Sequence, residues 1–224
     1  MKGVLRTMAV GLIEPVLFGS ILFLAAGTFD FWQAWVFLAV FAVTTWALGL
    51  YLLRTNPEAL KRRMRAGPTG ETRTKQKALI AGWYLTLVTV FVVSALDHRF
   101  GWSHVPTGIC LIGDVLVALA LGVVMLVVIQ NNYAAAVVRV EEGQKVISTG
   151  VYRLVRHPMY TANVILVVGI SLALGSYWGL LVVVPAVVVL GLRIRDEEKL
   201  LQDELDGYSE YTQAVRHRLV PGVW

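Results

Sequence analysis

Long apolar runs separated by short polar stretches dominate the chain. The first runs from Met8 to Phe29 and is interrupted by Glu14-Pro15. The second covers Phe31 to Leu53, after a turn of a few residues around Asp30. The third and fourth are Ala78 to Leu96 and Val105 to Ile129. Each offers about the twenty residues that carry a helix across the hydrocarbon. A polar stretch, Gln130 to His157, separates these four from a fifth apolar region, Met159 to Leu192. That region is too long for one crossing and is broken near Gly175-Ser176, so it reads as a helical hairpin. Each arm has about sixteen residues and so spans about 24 Å. The tail from Arg193 to Trp224 is charged and amphipathic.

The pattern predicts an all-α, polytopic membrane bundle with about six crossings and a C-terminal helix outside the bilayer. Residues 1–224 are expected to form a single integral-membrane domain: four spans over 1–129, then a ligand-binding half over 130–224. Lys2 and Arg6 before the first run resemble a signal peptide. The length of the run favours an uncleaved span.

Composition sharpens the class. Of the 224 residues 57% are hydrophobic and 16% charged, against about a quarter charged in soluble domains. The net charge of +5 could suggest nucleic acid, but the basic residues sit in short loops between apolar runs and serve topology instead. With six crossings, all of the 20 Lys and Arg except Arg99 fall on one side. The positive-inside rule makes that side cytoplasmic, with both termini there; a bacterial inner membrane is the expected location. The single cysteine, Cys110, lies in an apolar run and rules out an internal disulfide. The four histidines show no ligand spacing and no Gly-rich phosphate loop is present, so neither metal nor nucleic acid is expected.

Polar chemistry gathers at the cytoplasmic ends of the last three spans. Gln130-Asn131-Asn132-Tyr133 closes the fourth; "GQKVISTGVYRLVRHPMY" runs from Gly143 to Tyr160; "RIRDEEKLL" runs from Arg193 to Leu201. A hairpin returns its ends to one side, which makes His157 and Glu197 neighbours. Taken singly, the pieces have plain readings. His157-Pro158 is a helix start, since proline suits the first turn. Arg193 with Glu197 and Arg195 with Glu198 have the spacing of surface ion pairs. Tyr208 and Tyr211, with Leu201, Leu205 and Leu219, read as the apolar face of a covering helix. Taken together, base and acid at the mouth of an apolar cavity suit a zwitterionic ligand. Glu14 is an acid well inside a span; it reads as an interfacial start beside Pro15, or as a lining of the cavity.

These C-terminal stretches, with "GYSEYTQAVRHRLVP", resemble the isoprenylcysteine carboxyl methyltransferases, and more loosely the phospholipid N-methyltransferases. The resemblance covers roughly Asn131 to Pro221. It implies S-adenosylmethionine bound at the cytoplasmic face. Gln144 and Val146 match the segment against the adenosine. Gly150, Tyr152, His157, Pro158 and Tyr160 match the signature around the cofactor. Glu197 and Glu198 match an acidic pair for the ammonium or ribose. Asn131 or Asn132 matches an asparagine placed on the substrate side, and Arg193 a basic position near the donor that would meet an acceptor carboxylate. The implied reaction is methyl transfer to a lipophilic acceptor drawn from the bilayer, with carboxylate favoured over amine or thiol. Two other classes remain open at this point: a membrane reductase using NADPH, whose sterol-reducing members have a similar Arg-His-Pro-x-Tyr segment, and a non-catalytic membrane protein.

Overall fold

The computed structural model describes residues 2–60, 71, 73–131, 133, 140 and 143–224, with side chains for all of these except 2–10 and 12. Seven helices are described: α1 Lys2–Ala26, α2 Trp32–Thr55, α3 Thr74–Phe100, α4 Thr107–Gln130, α5 Pro158–Ala173, α6 Val183–Glu204 and α7 Tyr208–Ala214. Short 3-10 turns occupy Gly150–Arg153 and Trp178–Val182. No strand occurs among the described residues. The helices α2, α3 and α4, and α6 taken with its 3-10 turn as Trp178–Glu204, are long and apolar enough to cross a membrane. Ile13–Ala26 and Pro158–Ala173 are shorter apolar helices that complete the bundle. The protein is thus a polytopic helical membrane protein, as the hydropathy pattern predicts.

The hairpin breaks where expected. Gly175 takes φ 70°, a left-handed conformation that glycine adopts without the penalty a Cβ imposes. The first helix differs from expectation. It begins at Lys2 and passes through Pro15, so Glu14-Pro15 is not a helix start. Proline has no N–H to give to the carbonyl four residues back, here that of Gly11. The indole Nε1–H of Trp46 on α2 donates to that oxygen at 3.1 Å. The group left without an intrahelical donor is satisfied by the neighbouring helix, as a low-dielectric surrounding demands. Glu14 lies midway along α1, within electrostatic reach of Tyr84 on α3, which is also within reach of Arg193.

Phenylalanines fill the centre: Phe18 stands 5.2 Å from Phe41 and 4.8 Å from Phe91, ring centre to ring centre. Packing between α4 and α5 is closer still. A Cβ at Gly113 would overlap the backbone of Leu172 and Ala173, and one at Gly169 would lie 3.0 Å from Val117 N and 3.1 Å from Gly113 O. Small residues let membrane helices come into backbone contact, and here two glycines from opposite helices do so.

The two ends of the bundle differ in chemistry. At the end holding the turns 27–31, 101–106 and 174–177, Phe29, Trp32, Trp35, Phe100, Trp102, Tyr177 and Trp178 are exposed. Such an aromatic girdle belongs at a membrane–water interface. Buried Asp97 ties two of these turns together, accepting from Ser103 N and Oγ at 2.7 Å each and from Ser176 Oγ at 2.5 Å. At the opposite, basic end lie the described residues of the 131–157 connection, the C-terminal end of α6 and the tail. Several of the basic residues that set the expected topology, Lys61, Arg62, Arg63, Arg65 and Arg139, lie outside the described residues.

Candidate functional site

The site forms because α6 does not stop where its apolar sequence stops. After Leu192 the helix runs on through Arg193–Glu204. One side of this extension is buried, through Arg193, Ile194, Asp196 and Glu198, while Arg195 and Lys199 are exposed. Facing it, α5 begins with Pro158 at its first position and His157 at its N-cap. The two helices therefore present acid and base to one another at the basic end of the bundle.

Between them lies a cavity of about 830 Å³, counting its open mouth. Of the residues singled out in the sequence, Asn131, Gln144, Val146, Tyr152, His157, Pro158, Tyr160 and Glu197 line it. Asn132 lies outside the described residues. Gly150, Glu198 and Arg193 stand behind the wall. Gly150 has φ 59° and is packed so closely on the Gln130 side chain that a Cβ would collide with it. Gln130 Oε1 accepts from Val151 N at 3.1 Å, which fixes the 3-10 turn to the end of α4.

The acidic pair is divided. Tyr160 Oη donates to Glu197 Oε2 at 2.5 Å and accepts from Arg193 Nε at 2.8 Å. Tyr160 thus separates the cavity-lining carboxylate from the buried guanidinium. Glu198 is turned inward. Its Oε1 accepts from Arg156 Nε at 2.7 Å and lies 3.2 Å from His157 Nε2; its Oε2 accepts from Arg218 Nε at 2.7 Å. The neighbour proposed for His157 by the hairpin argument is therefore Glu198 at hydrogen-bond distance, one residue along from Glu197.

Arg156 and the tail complete the frame. Arg156 Nη1 donates to Val215 O at 2.9 Å and Arg216 O at 3.0 Å. Arg156 N and His157 N donate to His217 O and Arg218 O at 2.9 and 3.0 Å, and Thr161 Oγ1 donates to Leu219 O at 2.8 Å. The tail thereby closes the back of the site. Asp196, facing the start of α3, accepts from Gln76 Nε2 at 2.6 Å and pairs with Arg73 at 3.0 Å and Lys75 at 3.1 Å. This anchors the start of α3 to the same helix.

The far wall is aromatic and apolar. Tyr208 and Tyr211 pack with Leu205 and Val215, against Val140, Val146 and Leu201. Both tyrosines also line the cavity, so the covering helix read from the sequence is a wall of the site as well. Tyr211 Oη donates to Tyr152 O at 2.7 Å, and Asn131 Nδ2 donates to Tyr152 Oη at 3.1 Å. Burial pushes the Tyr152 phenol up to about 12, with the Asn131 hydrogen bond working against it and Glu197 with it. Burial also raises the phenols of Tyr208 and Tyr211 above the ordinary tyrosine range. All three phenols keep their protons near neutral pH.

Sequence reasoning missed the cavity-facing role of Tyr208 and Tyr211 and the locking roles of Arg156 and Arg218. The spacing of Tyr208 and Tyr211, three residues apart, shows that they share a helix face but not that a cavity lies before it. Among the described residues no group of acids, histidines or cysteines could hold a metal ion.

Residues 109–205 match the model of the phospholipid methyltransferase family. The match takes in α4, the connection, α5 and α6, and ends before α7 and the tail. No curated protein matches the chain.

Proposed function

We propose that the protein transfers a methyl group from S-adenosylmethionine to a lipophilic acceptor held in the bilayer, as the isoprenylcysteine carboxyl methyltransferases do. The observation that carries this reading is Glu197, the one acidic side chain among the described cavity residues, held at a wall shared with His157 and Arg156. A ligand with an ammonium and a carboxylate finds partners of both signs there. The aromatic wall of Tyr208, Tyr211 and Val146 suits a planar heterocycle. The residues present fit the donor, and the family match points the same way.

When bound, S-adenosylmethionine supplies an electrophilic methyl carbon: an acceptor lone pair forms the new bond while the carbon–sulfur bond breaks and its electron pair neutralises the sulfonium. Glu197 holds the ammonium. Gln144 and Val146 lie along the adenosine. Tyr152, His157, Pro158 and Tyr160 shape the base of the cavity, and Gly150 holds their turn against α4. Glu198 keeps Arg156, His157 and the tail in register. Arg193 attracts an acceptor carboxylate from behind Tyr160, with Asn131 on the acceptor side. A carboxylate acceptor is already ionised near pH 7, so no general base is required of these residues. What they supply is alignment, which can contribute up to about 7–11 kcal/mol. The basic end faces the cytosol, where the donor is made, and the acceptor arrives through the membrane.

The test is incorporation of labelled methyl from S-adenosylmethionine into a membrane lipid extract, paired with binding of S-adenosylhomocysteine and of NADPH to the purified protein. Micromolar binding of S-adenosylhomocysteine, lost in Glu197→Ala, supports the reading. Binding of NADPH instead would assign the site to reduction, and binding of neither would remove the proposed donor altogether.

A further inference from the structure

Among the described residues, the hydroxyl of Tyr208 is the one buried side-chain polar group of the cavity wall without a hydrogen-bond partner. The residue is 4% exposed, and its Oη has no hydrogen-bond partner among the described residues. A buried hydroxyl without a partner costs roughly 1–3 kcal/mol, which the chain could have avoided with phenylalanine. Three other cavity phenols have partners. Tyr160 Oη bridges Arg193 and Glu197, Tyr152 Oη accepts from Asn131, and Tyr211 Oη donates to Tyr152 O.

Position narrows the purpose. The ring of Tyr208 belongs to the apolar wall with Leu205 and Tyr211, yet its phenol lies within electrostatic reach of Glu198, Glu197 and Arg156. Tyr208 thus stands where the aromatic wall of the cavity comes within electrostatic reach of its charged side. Carrying its proton, a phenol there can donate one hydrogen bond. An ammonium has only donors to offer and is served by Glu197; a carboxylate has only acceptors. Arg156 supplies positive charge on the same side, but its Nε is committed to Glu198 and its Nη1 to two carbonyls.

We infer that Tyr208 is a ligand-binding residue whose hydroxyl donates to the carboxylate of the donor's amino-acid moiety, beside Arg156 and opposite the Glu197–ammonium contact. This rests on the S-adenosylmethionine reading above and adds to it the group that reads the carboxylate. Tyr208 lies outside the residues matched by the family model, so the match does not assign it.

Three probes separate the parts of the ligand: S-adenosylhomocysteine carries ammonium and carboxylate, S-adenosyl-3-thiopropylamine carries the ammonium alone, and 5′-methylthioadenosine carries neither. Their dissociation constants are measured calorimetrically on wild type and Tyr208→Phe. The variant removes an oxygen with no partner in the fold, so its ligand-free melting temperature is unchanged or higher. The expected result is about a tenfold weakening for S-adenosylhomocysteine, the size of a hydrogen bond to a charged group, and no change for the other two probes. Equal weakening for all three, or none for S-adenosylhomocysteine, overturns the assignment. Failure of wild type to bind any of the three overturns the donor reading itself and is told apart by that control.

Discussion

Glu197 and Glu198 are adjacent on α6 and serve different parts of the protein. Glu197 lines the cavity and accepts from Tyr160 Oη, while Glu198 is 4% exposed and held by Arg156, His157 and Arg218. Successive residues of a helix point about 100° apart. An acidic pair at this place therefore offers one carboxylate to the cavity and one to the fold.

Substitution at the two positions should separate binding from stability. Glu198→Ala leaves Arg156, 6% exposed at its side chain, without its anion, and breaking a buried pair in this way costs about 3–5 kcal/mol. The ligand-free melting temperature in detergent falls sharply. Glu197→Gln keeps an acceptor for Tyr160 and melts close to wild type, but its affinity for S-adenosylhomocysteine falls at least about tenfold, as loss of a charged partner implies. The same loss of melting temperature in both variants would contradict the division.

The seam between α4 and α5 should reject any side chain at Gly113. Gly113→Val drives methyl groups into the Leu172–Ala173 backbone, which cannot yield as a flexible side chain does. Overpacking of this kind costs about 1–3 kcal/mol or more. Gly122→Ala on the same helix meets nothing within 4 Å and serves as the control. Yield of folded protein by size exclusion, and melting temperature, should fall for the first variant and hold for the second.

Trp46→Phe tests the repair beside Pro15. The variant keeps an aromatic ring but removes the donor to Gly11 O. An unsatisfied buried carbonyl costs roughly 1–3 kcal/mol. Adding Pro15→Ala restores an N–H to the helix, so the double variant should recover part of the loss. Absence of any coupling between the two positions would show that the indole bond does not compensate the proline.

Alkaline stability should report the buried phenols. The Tyr152 phenol is raised from 10.0 to about 12, chiefly by burial. Below pH 10 it is protonated in folded and unfolded chains alike, and its contribution is complete. Above pH 10 the unfolded chain releases the proton first, so stability falls as pH rises toward about 12. Tyr208 and Tyr211 act in the same direction. Melting temperature should decline over that interval, less steeply in Tyr152→Phe; an unchanged slope would remove Tyr152 from the effect.

Much of the architecture is legible in the sequence because a bilayer imposes one simple demand. Twenty apolar residues in a row announce a crossing, and Gly175-Ser176 announces the break of the hairpin. The lip of the site is legible too, since Arg156, His157, Glu197 and Glu198 are conspicuous beside apolar runs. The division between Glu197 and Glu198 is not, because it depends on the rotation of α6 about its own axis against α5 and the tail. The bonds from Arg156 to Val215 and Arg216 join residues about sixty positions apart, and nothing local records them. Tyr208 misleads for a related reason: a tyrosine on a covering helix looks the same in sequence whether its hydroxyl faces solvent, a partner or a cavity. Glu14-Pro15 misleads as well, because proline punctuates most helices and the indole of Trp46 that satisfies Gly11 O lies thirty-five residues away.

The glycine contact of α4 with α5 also limits how a greasy molecule can come in. Where Gly113 and Gly169 bring two backbones together, no acyl chain can slip through, and no side-chain rotation can make room. The pair acts as a fixed post in the half of the bundle nearer the aromatic girdle. Any parting of α4 from α5 must then swing open toward the basic end, the end that holds the cavity.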